Sequence, residues 1–303
     1  MHFGGATPAE EARAMVDDCL EAGVNHFDCA NVYVGGEAEV VLGRLLAPVR
    51  DEVVIATKCG FPVGKGPNDH GTSALHVRRA VEGSLRRLGT DRIDLLYLHR
   101  FDGRPSMEQT LSALDRLVTS GEVTYVGVSN WAAWQVATAL GTAALQRLVA
   151  PVAIQPMYNL AKRQAEVEIL PLAEHAELAV FPYSPLGGGL FTGRYRPDQP
   201  GAEGRLNSDP RYRTRYASAA NFDAAAEVAA VAAEAGIHPA TLAMAWVGSH
   251  PAVTAPLIGA RTREQLGPAL AAADLDLDPA LRDRLSALTP TPPPANDRNE
   301  EQG

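Results

Sequence analysis

The stretches Val53-Val54-Ile55-Ala56-Thr57-Lys58 and Ile93-Asp94-Leu95-Leu96-Tyr97-Leu98-His99 decide the reading of this chain. Each is a short, nearly continuous apolar run closed by a charged or titratable residue. A strand with one wet face alternates apolar and polar positions, whereas a strand covered on both faces does not, so these runs read as central strands of a parallel sheet. Five more segments have the same character: 24–29, 123–129, 152–157, 179–183 and 254–259. Between them lie stripes of helical period, such as Ala12, Met15, Val16, Cys19 and Leu20, and then Leu111, Leu114, Leu117 and Val118. Thr7, Pro8 and Glu10 read as a capping box that opens a helix, and Asp278-Pro279 opens another.

Strands alternating with helices leave a closed barrel or a doubly wound sheet. A Gly-x-Gly-x-x-Gly turn between an early strand and helix, which a dinucleotide-binding doubly wound sheet would carry, is missing, and the barrel is favoured. The expected fold is therefore α/β, a (β/α)8 TIM-type barrel over residues 1–288, followed by a mobile Pro-rich tail at 289–303. Only seven strands are found, and about six residues precede the first helix, too few for the strand expected there. The barrel thus reads as one with its first strand missing or supplied unusually, by another segment, by a subunit or upstream of this frame. An open edge favours self-association into a homo-oligomer. The Gly- and Arg-rich stretch 187–221 reads as a long functional loop.

Composition narrows the partner. The 303 residues carry a formal charge of −9, which disfavours nucleic acid and anionic membrane and points to a small molecule. No apolar run approaches the roughly 20 residues that span a bilayer. Three cysteines, Cys19, Cys29 and Cys59, lack the spacing of a zinc site or disulfide framework. They read as reduced thiols of a cytoplasmic protein, and no metal is expected.

In a parallel barrel the C-terminal strand ends converge on one mouth. Asp28, Lys58 and His99 end three successive strands, and Tyr33 follows Asp28 by five positions. Singly, each has a plain structural reading: a turn carboxylate, a solvated amine, a rim imidazole. As an ordered set they have a chemical use. A phenol exchanges protons near neutrality only if a cation stabilises its phenolate, and Lys58, held charged by Asp28, supplies that cation. His99 presents a ring nitrogen to a carbonyl oxygen, so the set polarises a C=O and delivers a proton to it.

In Phe27-Asp28-Cys29-Ala30-Asn31-Val32-Tyr33, Ala56-Thr57-Lys58 and Asp94 to His99, the sequence resembles the aldo-keto reductases, whose Asp, Tyr, Lys and His tetrad these residues match in order. The resemblance runs from Met1 to about Leu288. It implies that Ser129, Asn130 and Gln155 hold a nicotinamide carboxamide, that Tyr183 stacks on the ring, and that Ser184, Leu186 and Gly187 meet the pyrophosphate. It also puts the 2′-phosphate pocket at Gly259, Arg261 and Gln265, where Thr262 and Gln265 read independently as a helix start beside an arginine, an anion site that favours NADPH. Pro268 and Ala269 depart from the family's usual Glu and Asn against the adenine, and Asp-Cys-Ala replaces its Asp-Thr-Ala. Phe61, Arg100, Phe101 and Trp131 are the candidate substrate pocket. The composition further resembles actinobacterial members acting on deoxysugar or polyketide ketones. The expected function is NADPH-dependent reduction of an aldehyde or ketone, with a cofactor-binding regulatory or redox-sensing subunit as the alternative.

Overall fold

The computed structural model describes residues 1–195 and 204–296, and it divides into two compact units, Met1–Gln155 with Gly259–Leu266, and Pro156–Ile258 with Gly267–Gly303. In the first unit, strands and helices alternate: α1 (Ala9–Glu21), β1 (His26–Asp28), α2 (Glu37–Leu46), β2 (Val54–Cys59), α3 (Ala74–Leu88), β3 (Ile93–Leu98), α4 (Met107–Thr119), β4 (Val123–Ser129), α5 (Ala133–Gln146) and β5 (Ala153–Gln155). The five strands pair in sequence order and all in parallel, with Asp28 opposite Ala56, Lys58 opposite Tyr97, Leu98 opposite Val128 and Ser129 opposite Gln155. A doubly wound sheet reverses its strand order at a switch point, and this sheet does not, so the winding is that of a (β/α) barrel. The buried faces join Phe27, Ile55, Leu96, Val126 and Ile154 to the helix stripes of Leu42, Leu46, Val77, Val81, Leu111 and Leu114. Gly127 is required on β4, because a Cβ there would lie 2.7 Å from the Tyr97 ring and 3.0 Å from the Ala153 carbonyl.

Several helix starts follow local chemistry. Ser106 and Gln109 form a reciprocal capping box at α4, and the Ser73 hydroxyl accepts the His76 N–H at α3. At α1 the expected box does not form. Pro8 is the N-cap, and the buried Thr7 hydroxyl donates instead to the Arg261 carbonyl at 3.2 Å, a partner 254 positions away. The hydroxyl serves as a long-range donor, and no side chain caps the start of α1.

The second unit contains α6 (Ile169–His175), β6 (Ala179–Val180), α7 (Arg205–Ser208), α8 (Pro210–Tyr216), α9 (Ala219–Ala235) and α10 (Pro239–Gly248). In α11 (Arg263–Leu270) the chain returns to it, and α12 (Pro279–Ser286) follows. Asp278 caps α12 through the Ala280 and Leu281 N–H groups, as expected. The seventh expected strand is not one. Thr254 and Leu257 donate N–H to the carbonyls of Val180 and Pro182 at 2.9 Å, but Pro182 has no N–H to return, and the Val180 N–H is taken by the Thr254 hydroxyl. A ladder bonded in one direction only does not close a strand. Six strands are therefore present among the described residues.

The stretch 187–221 also differs from a loop: a 3-10 turn at Gly187–Thr192 leads, past the undescribed residues, to α7 and α8. Arg205 and Arg215 lie 4.0 and 5.1 Å from the Tyr212 ring centroid, and Arg211 is bonded to Asp209. Arg196, Asp198 and Glu203 lie outside the described residues, as does the tail beyond Asn296. Among the described residues, no single helix is long and apolar enough to cross a membrane.

Candidate active site

Three neighbouring strands of the first unit deliver the tetrad. Backbone bonds extend the ladder past the strand ends, from Cys29 N to Ala56 O, from Asn31 N to Lys58 O and from His99 N to Cys59 O, so the residues after each strand leave in register. Lys58, with 0% exposure, donates its ammonium to the Asp28 carboxylate and to the Cys29 carbonyl, the latter at 2.6 Å. The other Asp28 oxygen accepts the Gln155 amide at 2.9 Å. The Lys58 nitrogen stands 5.2 Å from the centroid of the Tyr33 ring and 6.0 Å from that of Tyr97. Tyr33 and His99 meet edge to face, with centroids 6.0 Å apart.

Protonation states follow from this geometry. Burial alone would neutralise Lys58, but Asp28, with Tyr33 behind it, overturns that cost and raises the ammonium above its ordinary value. Burial raises the Tyr33 phenol, with Asp28 adding to the effect and Lys58 opposing it. The phenol is therefore loaded with its proton at neutral pH, the state a proton donor needs. Burial, with the Lys58 charge second, lowers His99 to about 3, so its imidazole is neutral, and its Nδ1 is buried without a partner. A neutral ring with an unsatisfied nitrogen can meet an oxygen that develops charge.

A second network, which sequence reasoning missed, fixes this group from behind. Glu39 on α2 is wholly buried, accepts the Thr57 hydroxyl at 2.5 Å and pairs with Arg87 of α3 at 2.7 Å. Thr57 precedes Lys58, and α2 follows the Tyr33 turn, so one carboxylate ties both to a common frame. The signal was available: Glu39, Leu42 and Leu46 stand at helical spacing on the buried stripe of α2. Between Tyr33 and α2, Val34, Gly35 and Gly36 have positive φ of 51°, 65° and 100°. Val34 bears the cost, because a β-branched residue clashes in the left-handed region.

Of the expected pocket residues, Phe61 meets His99 directly. Phe61 packs 4.5 Å from the His99 ring, the Arg100 guanidinium lies 5.4 Å from the Phe61 centroid, and Phe101 meets Trp131 edge to face at 5.1 Å. The Asn130 amide donates to the His99 carbonyl at 2.9 Å, which joins the ends of β3 and β4.

The expected coenzyme residues are spread over both units. In the first, Ser129 donates to the Gln155 carbonyl at 2.9 Å, and Asn130, held at φ 59°, donates to Ser129. These hydroxyl and carboxamide groups are neutral donors and acceptors beside the tetrad, a set that fits a neutral carboxamide rather than an ion. Also in the first unit, Gln265 takes part in capping the start of α11: its N–H is held by the Thr262 hydroxyl, and its side-chain oxygen accepts the Arg261 N–H at 3.3 Å. The helix start expected to hold an anion is partly filled, because the Glu11 carboxylate accepts the Arg263 N–H at 2.6 Å and Asp18 takes the Arg263 guanidinium. Gly259 has no heavy atom within 4 Å of an added Cβ. In the second unit, Tyr183 donates its N–H to Pro156 O at 2.9 Å, Ser184 has φ 57°, and Gly187, at φ 59°, donates to Ser184 O. Leu186 accepts the Gly189 N–H at 3.0 Å in the same turn.

Burial pushes the thiols of Cys29 and Cys59 up to about 12 and that of Cys19 to about 11, which makes them poor nucleophiles. No group of three or more potential metal ligands occurs among the described residues.

The sequence model described as Aldo/keto reductase family matches residues 1–289. The chain is similar to a probable voltage-gated potassium channel subunit beta of Oryza sativa subsp. japonica, with 35% identity over 96% of this chain and 91% of the relative. It is equally similar, at 35% over 96% and 91%, to an uncharacterized oxidoreductase of Bacillus subtilis (strain 168). An L-glyceraldehyde 3-phosphate reductase of Escherichia coli (strain K12) is 32% identical over 88% of this chain and 79% of its own length.

Proposed function

The chain belongs to the aldo/keto reductase family, and from that premise we propose that it is an NADPH-dependent reductase of an aldehyde or ketone with Tyr33 as general acid. The observation that carries this reading is the buried Lys58–Asp28 pair beneath the Tyr33 ring. When bound, the reduced nicotinamide supplies a hydride to the carbonyl carbon. Tyr33 gives its hydroxyl proton to the carbonyl oxygen, and the phenolate left behind faces the Lys58 ammonium. Asp28 keeps that ammonium charged through a step in which its neighbour becomes an anion. Neutral His99 orients the carbonyl oxygen by hydrogen bond. Ser129, Asn130 and Gln155 would hold the carboxamide, Tyr183 the ring face, and Ser184, Leu186 and Gly187 the pyrophosphate. Gly259, Arg261 and Gln265 would hold the 2′-phosphate, which competes there with Glu11. The substrate panel extends from phosphorylated aldehydes, suggested by one relative's name, to deoxysugar and polyketide ketones.

The test is Tyr33→Phe, which removes the proton and leaves the ring. Turnover of a carbonyl substrate falls by a factor of about 10² to 10⁴ while NADPH titration is retained. Full activity in the variant removes Tyr33 from the mechanism.

A second reading has a specific warrant in the relatives whose printed names are potassium channel beta subunits. In that reading the chain binds coenzyme as a regulatory subunit with little turnover. NADPH binding without oxidation across a broad carbonyl panel, together with a co-purifying partner, would favour it.

A further inference from the structure

Arg100 is a cation without a purpose in the proton-transfer machinery. Lys58 is paired with Asp28, whereas the acid nearest Arg100 in sequence, Asp102, accepts instead the N–H groups of Thr72 at 3.0 Å and Arg104 at 3.1 Å. The guanidinium instead lies over Phe61, the ring that also packs on His99, and its Nε is buried without a hydrogen-bond partner. A buried N–H left unmade costs about 1–3 kcal/mol, and a charged one more. Such a donor is kept where something else satisfies it.

A second donor in the same condition follows the adjacent strand, β4. Trp131 is 4% exposed, and its indole Nε1 is also buried and unpartnered. The His99–Asn130 bond of 2.9 Å joins the ends of β3 and β4, so Arg100 and Trp131, the next residue on each, leave those strands side by side. The edge-to-face contact of Phe101 with Trp131 holds the two loops together. Two unmet N–H groups, one charged, thus flank the mouth one residue beyond the reacting histidine. What satisfies both is an oxyanion, since it offers several acceptor lone pairs and a charge opposite to the guanidinium.

Resting on the reductase reading, we infer that Arg100 and the Trp131 indole N–H form an anion subsite for a phosphate or carboxylate carried by the substrate, away from its C=O. The substrate class is then an acidic aldehyde or ketone. The subsite works against the chain's overall charge of −9, so selectivity arises locally rather than by long-range attraction.

Matched pairs test this: glyceraldehyde 3-phosphate against glyceraldehyde, and 4-oxobutanoate against butanal, with the wild type, R100Q, R100K and W131F. The expected result is an acid-over-neutral preference in kcat/KM of about tenfold or more for one pair, expressed mainly in KM. R100Q removes most of it, W131F part, and R100K retains part. The pair that responds separates phosphate from carboxylate. Equal use of acidic and neutral aldehydes by the wild type, or a preference that survives R100Q, overturns the subsite. Should no aldehyde turn over, calorimetric titration with the same two acids decides. Weaker binding by R100Q than by wild type keeps the subsite and sinks the reductase reading, and equal binding overturns the subsite itself.

Discussion

The Gln155 side-chain amide donates to the Asp28 carboxylate at 2.9 Å, bridging 127 positions of sequence. The bond gives Asp28 a second fixed contact beside Lys58 and thereby sets the orientation of the carboxylate on which the ammonium depends. Gln155→Glu replaces the donor with a second anion in the same buried place. Like charges so close do not both ionise, so one proton is retained and the pull on Lys58 weakens. The expected outcome is a fall in kcat/KM of at least about tenfold and a loss of about 2 kcal/mol in urea unfolding at pH 8. Wild-type values for both would show that the Gln155 amide does not position Asp28.

Acid should destabilise the fold well before its carboxylates titrate. His99 is lowered from 6.5 to about 3 by burial, and burial also lowers His26, His76 and His250. Below pH 6.5 the unfolded chain binds protons that the folded chain refuses, so this stability is complete above 6.5 and is lost as pH falls toward 3. For His99 the loss between pH 6.5 and 5 is about 2 kcal/mol. Unfolding midpoints measured at both pH values should fall less steeply in His99→Asn than in wild type. An unchanged slope would mean that His99 does not titrate as described.

Glu39 is held by Thr57 and Arg87 with no exposure of its own. Glu39→Ala leaves a buried hydroxyl without its acceptor and a guanidinium without its anion. Arg87 is 32% exposed and regains water, which moderates the penalty. A loss of about 3 kcal/mol is expected in urea unfolding. Adding Thr57→Val should restore about 1 kcal/mol, and strict additivity of the two losses would argue against a shared network.

Glu11 occupies the Arg263 N–H at 2.6 Å, where a 2′-phosphate is expected to sit. Glu11→Gln removes a like charge and should tighten NADPH about threefold without moving NADH, an effect sized for a partly exposed pair. Fluorescence titration with both coenzymes checks it. Parallel changes in the two would place Glu11 away from the phosphate.

The tetrad was legible because a parallel sheet puts its strand ends together, so three apolar runs ending in Asp28, Lys58 and His99 carry their own geometry. Glu39 was less so, since its burial depends on Thr57 and Arg87, which lie 18 and 48 positions away. At Thr7 the helix start was placed correctly but the capping box does not form, and the hydroxyl donates to the Arg261 carbonyl, which no window of sequence contains. The run 254–259 has strand composition, yet the donors that would pair it are missing on the facing segment, at Pro182 by covalent structure and at Val180 by competition. In 187–221, read as a long functional loop, arginines stack on Tyr212 and pair with Asp209, contacts that belong to short helices.

The docking of α1 has a consequence in time. Thr7, Glu11 and Asp18 find their partners at Arg261 and Arg263, with 245 to 254 positions between. At ribosomal rates of about 5–20 residues per second, the first helix waits on the order of tens of seconds for those partners to be made. Until then α1 lacks those three polar ties. The clasp at 261–263 is thus among the last contacts of α1 to form, and it fixes the helix only late in synthesis.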